Sequence, residues 1–278
     1  ASKYCSVHPT SDDASYPFTK LWNDDDIKSH ALVTDNIHKH NALAGVELWL
    51  GGNFVANFDT RLPPMGLLSR PLTNLDVYHP IQSRKIDKSD IFDLLNWQKL
   101  AAKRAVEAGF DIVYVYAAHG YLLSDFLNSE TNNRSDEYGG SLKNRVRIVK
   151  ELIEVTKDAV KDNCAVATRF SVDLSDPESY DAFSLLSELP DLWDLTIHDY
   201  NIEMGASRFV KENALEKNIL RAKTSTTKPI VAVGRFTSPD TMARVIKNNI
   251  QDMIGAARPS ISDPFLPKKI ESSDLFKL

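Results

Sequence analysis

Cysteine is the scarcest residue type in this 278-residue chain: there are two, Cys5 and Cys164, in no metal-type spacing. That excludes a disulfide framework and an iron-sulfur cluster built from this chain alone, and it fits a reducing cytoplasm. Long apolar runs are missing too, so no membrane-spanning segment is expected. Neither sign of charge dominates. Against 33 Lys and Arg stand 38 Asp and Glu, for a net charge of -5, and the basic residues are interspersed with acidic ones. Nucleic acid and anionic membrane are therefore poor partners. The chain opens Ala1-Ser2-Lys3-Tyr4-Cys5 without a methionine, a charged n-region or an apolar h-region, which reads as a processed or truncated start. What is present is a globular composition, 42% hydrophobic and 26% charged, enough for one domain of barrel size or two small ones.

Short apolar runs alternate with longer helical patterns. Strands are expected over 42–50, 110–116, 165–170, 192–197, 230–233 and 252–255. One helix should start near Asp87, with Asp90 three residues on in a capping arrangement. It carries Ile91, Leu94, Leu95, Ala102 and Val106 on one stripe and stops at Gly109. Another buries Leu142, Val146, Val149, Ile153 and Val160. Repeated strand-then-helix units imply a parallel sheet, and their number favours an α/β chain folded as a (β/α)8 TIM barrel, a single domain over 1–278. The polar segment 53–87, with Pro63, Pro64, Pro71 and Pro80, follows a strand and so falls on the C-terminal face, either as a covering element or as a surface excursion.

Two constellations carry chemistry. Tyr116, His119 and Tyr121 end an apolar strand, an expensive place for polar groups without partners. Taken alone they read slightly better as half-buried aromatics and a polar loop. The second constellation is Val233-Gly234-Arg235 and Gly255-Ala256-Ala257-Arg258, two successive strands each ending at glycine and then arginine. Barrels commonly build a phosphate site there, with glycine admitting backbone N–H groups and arginine binding bidentately. A helix begun at Ser238-Pro239-Asp240 adds its positive end.

The stretch Tyr116-Ala117-Ala118-His119-Gly120-Tyr121, followed by Asn133-Arg134-Ser135-Asp136-Glu137-Tyr138-Gly139-Gly140-Ser141-Leu142 and Asn144-Arg145, resembles the signature of the old yellow enzyme family of FMN-dependent oxidoreductases. Val233-Gly234-Arg235-Phe236 and the segment from Ala257-Arg258-Pro259-Ser260 onward look like that family's FMN-phosphate segments. Tyr116 with His119 is similar to the version found in the barrel of the trimethylamine and dimethylamine dehydrogenases. Tyr4-Cys5-Ser6, Ala44-Gly45-Val46-Glu47-Leu48-Trp49 and Ala167-Thr168-Arg169-Phe170 extend the resemblance nearly end to end. It implies that Glu47 hydrogen-bonds the flavin ring and that Arg169 lies against the ring and stabilises negative charge on it. Gly234, Arg235, Ala257 and Arg258 would hold the phosphate, Tyr116 and His119 would pair beside a substrate amine, and Tyr4 and Tyr121 would help enclose it. For Arg169 the plain alternative is an ion pair with Glu47 in the core.

The resemblance also implies departures. The family's first barrel strand, with the cysteine that bonds FMN, would precede Ala1, making this an incomplete barrel and a fragment of a longer chain. The loop from Asp199 is short where the family carries an aspartate completing the Tyr-His triad, and Asp199 or Glu203 would have to supply that carboxylate. The leading expectation is an FMN-dependent oxidoreductase acting on a small secondary or tertiary amine. The alternatives are an NAD(P)H-dependent ene-reductase, in which His119 and Tyr121 bind and protonate an alkene, and a non-catalytic barrel. Expected partners are a small-molecule amine or enone, an electron acceptor that the sequence does not identify, and a second copy in a homodimer.

Overall fold

The computed structural model describes residues 2–11, 19–57, 59–72, 81–197 and 210–272. Among them the chain forms two compact units, one of residues 1–169 with 189–191 and one of residues 170–188 with 192–278. No helix among the described residues is long and apolar enough to cross a membrane.

The first unit holds β1 (Ser2–Ser6), α1 (Ile27–His38), β2 (Gly45–Trp49), the two-residue strands β3 (Met65–Gly66) and β4 (Arg84–Lys85), and α2 (Lys88–Glu107). There follow β5 (Ile112–Ala117), α3 (Leu122–Leu127), α4 (Leu142–Arg145), α5 (Arg147–Val160) and β6 (Ala165–Ser171), which leaves the unit at Arg169. Its sheet order is β1-β2-β5-β6, with β1 on β2 and β2 on β5 in parallel register. Every residue of β2 is buried, as a strand covered on both faces requires. The capping box expected at Asp87 and Asp90 is formed, each side chain accepting from the other's backbone N–H. From that start α2 packs on α5, burying Ile91, Leu94, Ala101, Ala102 and Ala105 on one side and Ile148, Val149, Leu152 and Ile153 on the other. Inside this seam Gln98 donates to the Thr156 hydroxyl at 3.1 Å, so this buried polar pair is satisfied. The second expected helix is broken at Val146, which ends α4 and begins α5.

The second unit holds α6 (Pro177–Leu186), β7 (Leu192–Thr196), α7 (Glu216–Lys223), β8 (Ile230–Val233), α8 (Pro239–Lys247), β9 (Met253–Gly255), α9 (Ala257–Ser262) and α10 (Leu266–Ser272). Its strands run β7-β8-β9, all parallel. Phe170, Phe183 and Trp193 form its aromatic core, with ring centroids 4.6 to 6.1 Å apart, each worth about 1.5–3 kcal/mol when fully buried.

A repeated device joins strands at their N-terminal ends. Asp111, Asp191 and Asp252 each stand one residue before a strand. The carboxylate of Asp111 accepts the N–H of Ala44 at 2.7 Å, that of Asp191 accepts Val166 N–H at 2.9 Å, and that of Asp252 accepts Ile230 N–H at 2.7 Å. In return each aspartate's own N–H donates to the carbonyl of the same residue it receives from. Each carboxylate also meets a basic side chain, His38, Lys157 and Lys223 respectively. Burial pushes the Asp111 carboxyl up, but the Ala44 N–H and His38 outweigh it and hold it below the ordinary value. Asp111→Ala leaves the N–H of fully buried Ala44 without this acceptor and is expected to cost about 1–3 kcal/mol in urea unfolding at pH 7. Because the folded-state value is depressed, that contribution is present above about pH 4 and is lost as pH falls through it.

Candidate active site

In the first unit the C-terminal ends of β2, β5 and β6 gather the residues the sequence singled out. Glu47 is buried on β2, and its Oε1 lies 3.2 Å from an Nη of Arg169 on β6. The Arg169 guanidinium stands 5.6 Å from the ring centroid of Tyr116, the penultimate residue of β5. Tyr116 in turn hydrogen-bonds His119, Oη to Nδ1 at 2.7 Å. If His119 Nδ1–H donates to the phenol oxygen, Nε2 carries the basic lone pair of the imidazole; if the phenol donates instead, a proton reaches the imidazole only by way of the phenol. The chain between them turns sharply: His119 (φ 61°) and Gly120 (φ 74°) are both left-handed, a conformation that costs a histidine about 1 kcal/mol. Strain of that kind, held by a short bond, is what a preorganised pair looks like.

Aromatic rings surround this pair. Trp49, at the end of β2, meets Tyr121 edge-on at 4.6 Å, Tyr4 edge-on at 5.6 Å and Tyr116 at 6.2 Å. Phe54 meets Tyr121 at 6.2 Å. Tyr4 is 43% exposed while Trp49 is buried, so the cluster has an open side and a closed one. The Trp49 indole N–H has no acceptor among the described residues. Sequence reasoning gave Trp49 and Phe54 no role. The available signal was an aromatic residue at a strand end two positions before Gly51-Gly52.

The turn after β2 is held by Leu68 and Ser83. Asn53 donates to the Leu68 carbonyl at 3.2 Å and to the Ser83 hydroxyl at 2.7 Å, and Ser83 reaches the Leu68 and Arg70 carbonyls. The long signature motif is a brace for this region. Buried Arg134 donates to the Ile86 carbonyl at 2.6 Å and to Asp136, and buried Arg145 donates to the Leu127 carbonyl at the end of α3 at 2.8 Å. On α3 itself, burial raises the Asp125 carboxyl to about 7, with the charge of Arg70 opposing the rise.

In the second unit Arg235 is left-handed (φ 54°) two residues past the end of β8, and Arg258 is exposed in the first turn of α9. α9 opens without a side-chain cap. The N-terminus of α8, expected to add positive potential, has other partners. Ser238 accepts from Thr241, and Glu212 accepts the N–H groups of Thr237 at 2.7 Å and Ser238 at 2.8 Å. A side chain at Gly234 would meet the Phe236 ring at 3.1 Å and the Asn213 Cα at 3.2 Å, so packing within the protein already requires glycine there. Asp199 and Glu203 lie outside the described residues.

A parallel α/β chain whose ionisable and aromatic side chains collect at the C-terminal ends of its strands has the architecture of a barrel or open-sheet enzyme. The chain belongs to the NADH:flavin oxidoreductase / NADH oxidase family, which matches residues 1–274. It is 36% identical over 284 residues to dimethylamine dehydrogenase of Hyphomicrobium sp. (strain x), across 97% of this chain and 39% of that relative. Its fold is similar to 6-hydroxypseudooxynicotine amine oxidase (HisD) of Pseudomonas geniculata N1, with a TM-score of 0.93, 41% identity and 99% of this chain covered. Histamine dehydrogenase of Rhizobium sp. 4-9 follows at a TM-score of 0.91, 40% identity and 98% coverage. The chain spans 42% of the first of these two structures and 41% of the second. Family membership implies FMN as the cofactor.

Proposed function

We propose that this chain is the FMN-binding (β/α)8 barrel portion of an oxidoreductase that takes electrons from a small secondary or tertiary amine. The observation that carries the proposal is the 2.7 Å Tyr116–His119 bond set among the rings of Trp49, Tyr121 and Tyr4. Electron-rich ring faces favour a methylated ammonium on entry, and an imidazole poised by a phenol can take the proton that must leave before a nitrogen lone pair is available. All three relatives above carry names that specify amines or amine oxidation, which supports this choice of substrate class.

The residues present fit the cofactor. A carboxylate on β2 and a guanidinium on β6, 3.2 Å apart, offer an acceptor for a ring N–H and a counter-charge for a reduced ring. Two guanidiniums and an uncapped helix start suit a phosphate. When bound, FMN supplies the two-electron acceptor. Glu47 and Arg169 would hold its ring, and Gly234, Arg235, Ala257 and Arg258 its phosphate. Tyr116 and His119 act on the amine proton, while Tyr4 and Tyr121 confine the alkyl groups.

An anaerobic visible spectrum of the chain with FMN tests the reading. Bleaching on addition of trimethylamine or dimethylamine is the expected result. Bleaching by NADPH that an enone reverses would replace it with the ene-reductase, and failure to bind FMN would leave a non-catalytic barrel. Arg258→Ala is expected to weaken FMN retention about 10- to 100-fold by equilibrium dialysis, the worth of a charge-assisted phosphate contact.

A further inference from the structure

The two walls of the aromatic enclosure come from separate elements, Trp49 from the end of β2 and Tyr121 from the residue capping α3. What sets their spacing is the turn between Trp49 and Phe54. Gly52 is left-handed (φ 66°), and a Cβ there would lie 3.0 Å from both the Cα and the amide nitrogen of Leu122 and 3.2 Å from its Cβ. Those are mostly backbone atoms of the first residue of α3, and Leu122 is fully buried, so nothing can give without moving the helix start. Gly51 has the same relation to the other wall. A Cβ on it would lie 3.2 Å from Cζ3 of Trp49 and would overlap the Val55 side chain.

We propose that Gly52, assisted by Gly51, is the positioning residue of the substrate enclosure. By letting the β2 turn touch the backbone of α3, it holds Tyr121 edge-on to Trp49 at 4.6 Å and so fixes the width available to the alkyl groups of a small amine. The inference rests on the amine reading for its substrate but not for its geometry. The atoms nearest a Cβ on Gly52 all belong to Leu122, the residue after Tyr121, so its effect runs through Tyr121.

The chosen test separates that effect from folding and from the amine reading. Gly140 is equally left-handed (φ 77°), but a Cβ on it would meet nothing within 4 Å, so Gly140→Ala reports backbone strain alone. Gly52→Asn lowers the strain but keeps the clash, which provides a second variant should Gly52→Ala fold poorly. Both Gly52 variants are expected to change the near-UV circular dichroism that Trp49→Phe removes, whereas Gly140→Ala leaves it unchanged. This readout needs no substrate. For amine-driven flavin reduction, the Gly52 variants should raise the half-saturating dimethylamine concentration at least about fivefold, with the limiting rate changed less than about twofold. In a Tyr121→Ala background the fivefold effect should vanish, since the wall it acts on is gone. An unchanged near-UV spectrum, or an effect that persists without Tyr121, overturns the proposal. Failure of any amine to reduce the parent protein overturns the amine reading and leaves the spacer to be judged by the dichroism.

Discussion

His119→Ala is expected to slow amine-driven bleaching of the bound flavin by roughly 100- to 10,000-fold, the range a positioned acid-base group contributes, with FMN affinity kept within about twofold. The asymmetry follows from where the groups stand. His119 is bound to Tyr116 at 2.7 Å, while Tyr116 in turn is the residue that faces Arg169. Removing the imidazole therefore leaves the Glu47–Arg169 pair and its strand ends in place. It also removes the proton acceptor, and a small amine is mostly protonated at neutral pH. The variant's deficit should shrink as pH rises toward the amine's own ionisation, because solvent then performs the deprotonation. Tyr116→Phe should give a smaller loss of the same pH form, since the imidazole remains without its orienting partner. Stopped-flow reduction across a pH series checks both. An equal loss of FMN affinity in His119→Ala would place His119 in the cofactor site instead, and a pH-independent deficit would remove its role with the proton.

The parts of this architecture that were legible in the sequence are those decided by short-range chemistry. Asp87 and Asp90 announce the start of α2 because a capping box needs only its own four residues, and β8 falls at 230–233 as expected because an apolar run bounded by Pro229 and Gly234 has little freedom. Tyr116 and His119 taken alone read as half-buried aromatics and a polar loop, and their pairing was what the family resemblance implied; the structure sets the Tyr116 Oη 2.7 Å from the His119 Nδ1. What escaped depends on residues far apart in sequence. The break at Val146 was invisible because its apolar spacing continues unchanged from Leu142 to Val160; Arg145 turning back to the Gly140 and Leu127 carbonyls accompanies that break. The three aspartate clamps look like ordinary loop acids until Ala44, Val166 and Ile230 are seen to be their partners. Trp49 read as one more strand residue, since nothing local says that Tyr4, 45 positions away, shares its edge. Glu212 likewise gives no local sign that it fills the end of α8.

Asp125 is the clearest case of a property that only three dimensions confer, and it makes the last prediction. It lies on α3, one turn beyond Tyr121, and is 6% exposed. Burial lifts its carboxyl to about 7, Arg70 opposing. In the unfolded chain the same group ionises near 3.9. Below about pH 4 both states carry the proton and the residue is neutral to stability. Between about pH 4 and 7 the folded state holds a proton that the unfolded state has lost, so stability must fall as pH rises. Above about pH 7 the cost is complete, and the gap between the folded and unfolded ionisations corresponds to a loss of up to about 4 kcal/mol. Asp125→Asn keeps the shape of the protonated acid and cannot ionise. It should match the parent protein in urea unfolding at pH 4, exceed it progressively through pH 7 and hold a constant advantage above. Arg70→Met should do the opposite at pH 8, because it removes the cation that offsets the buried carboxylate. A stability difference between Asp125→Asn and the parent that does not change from pH 4 to 8 would show that Asp125 ionises in the fold as it does in water. The short helix that carries Tyr121 would then owe nothing to its protonation.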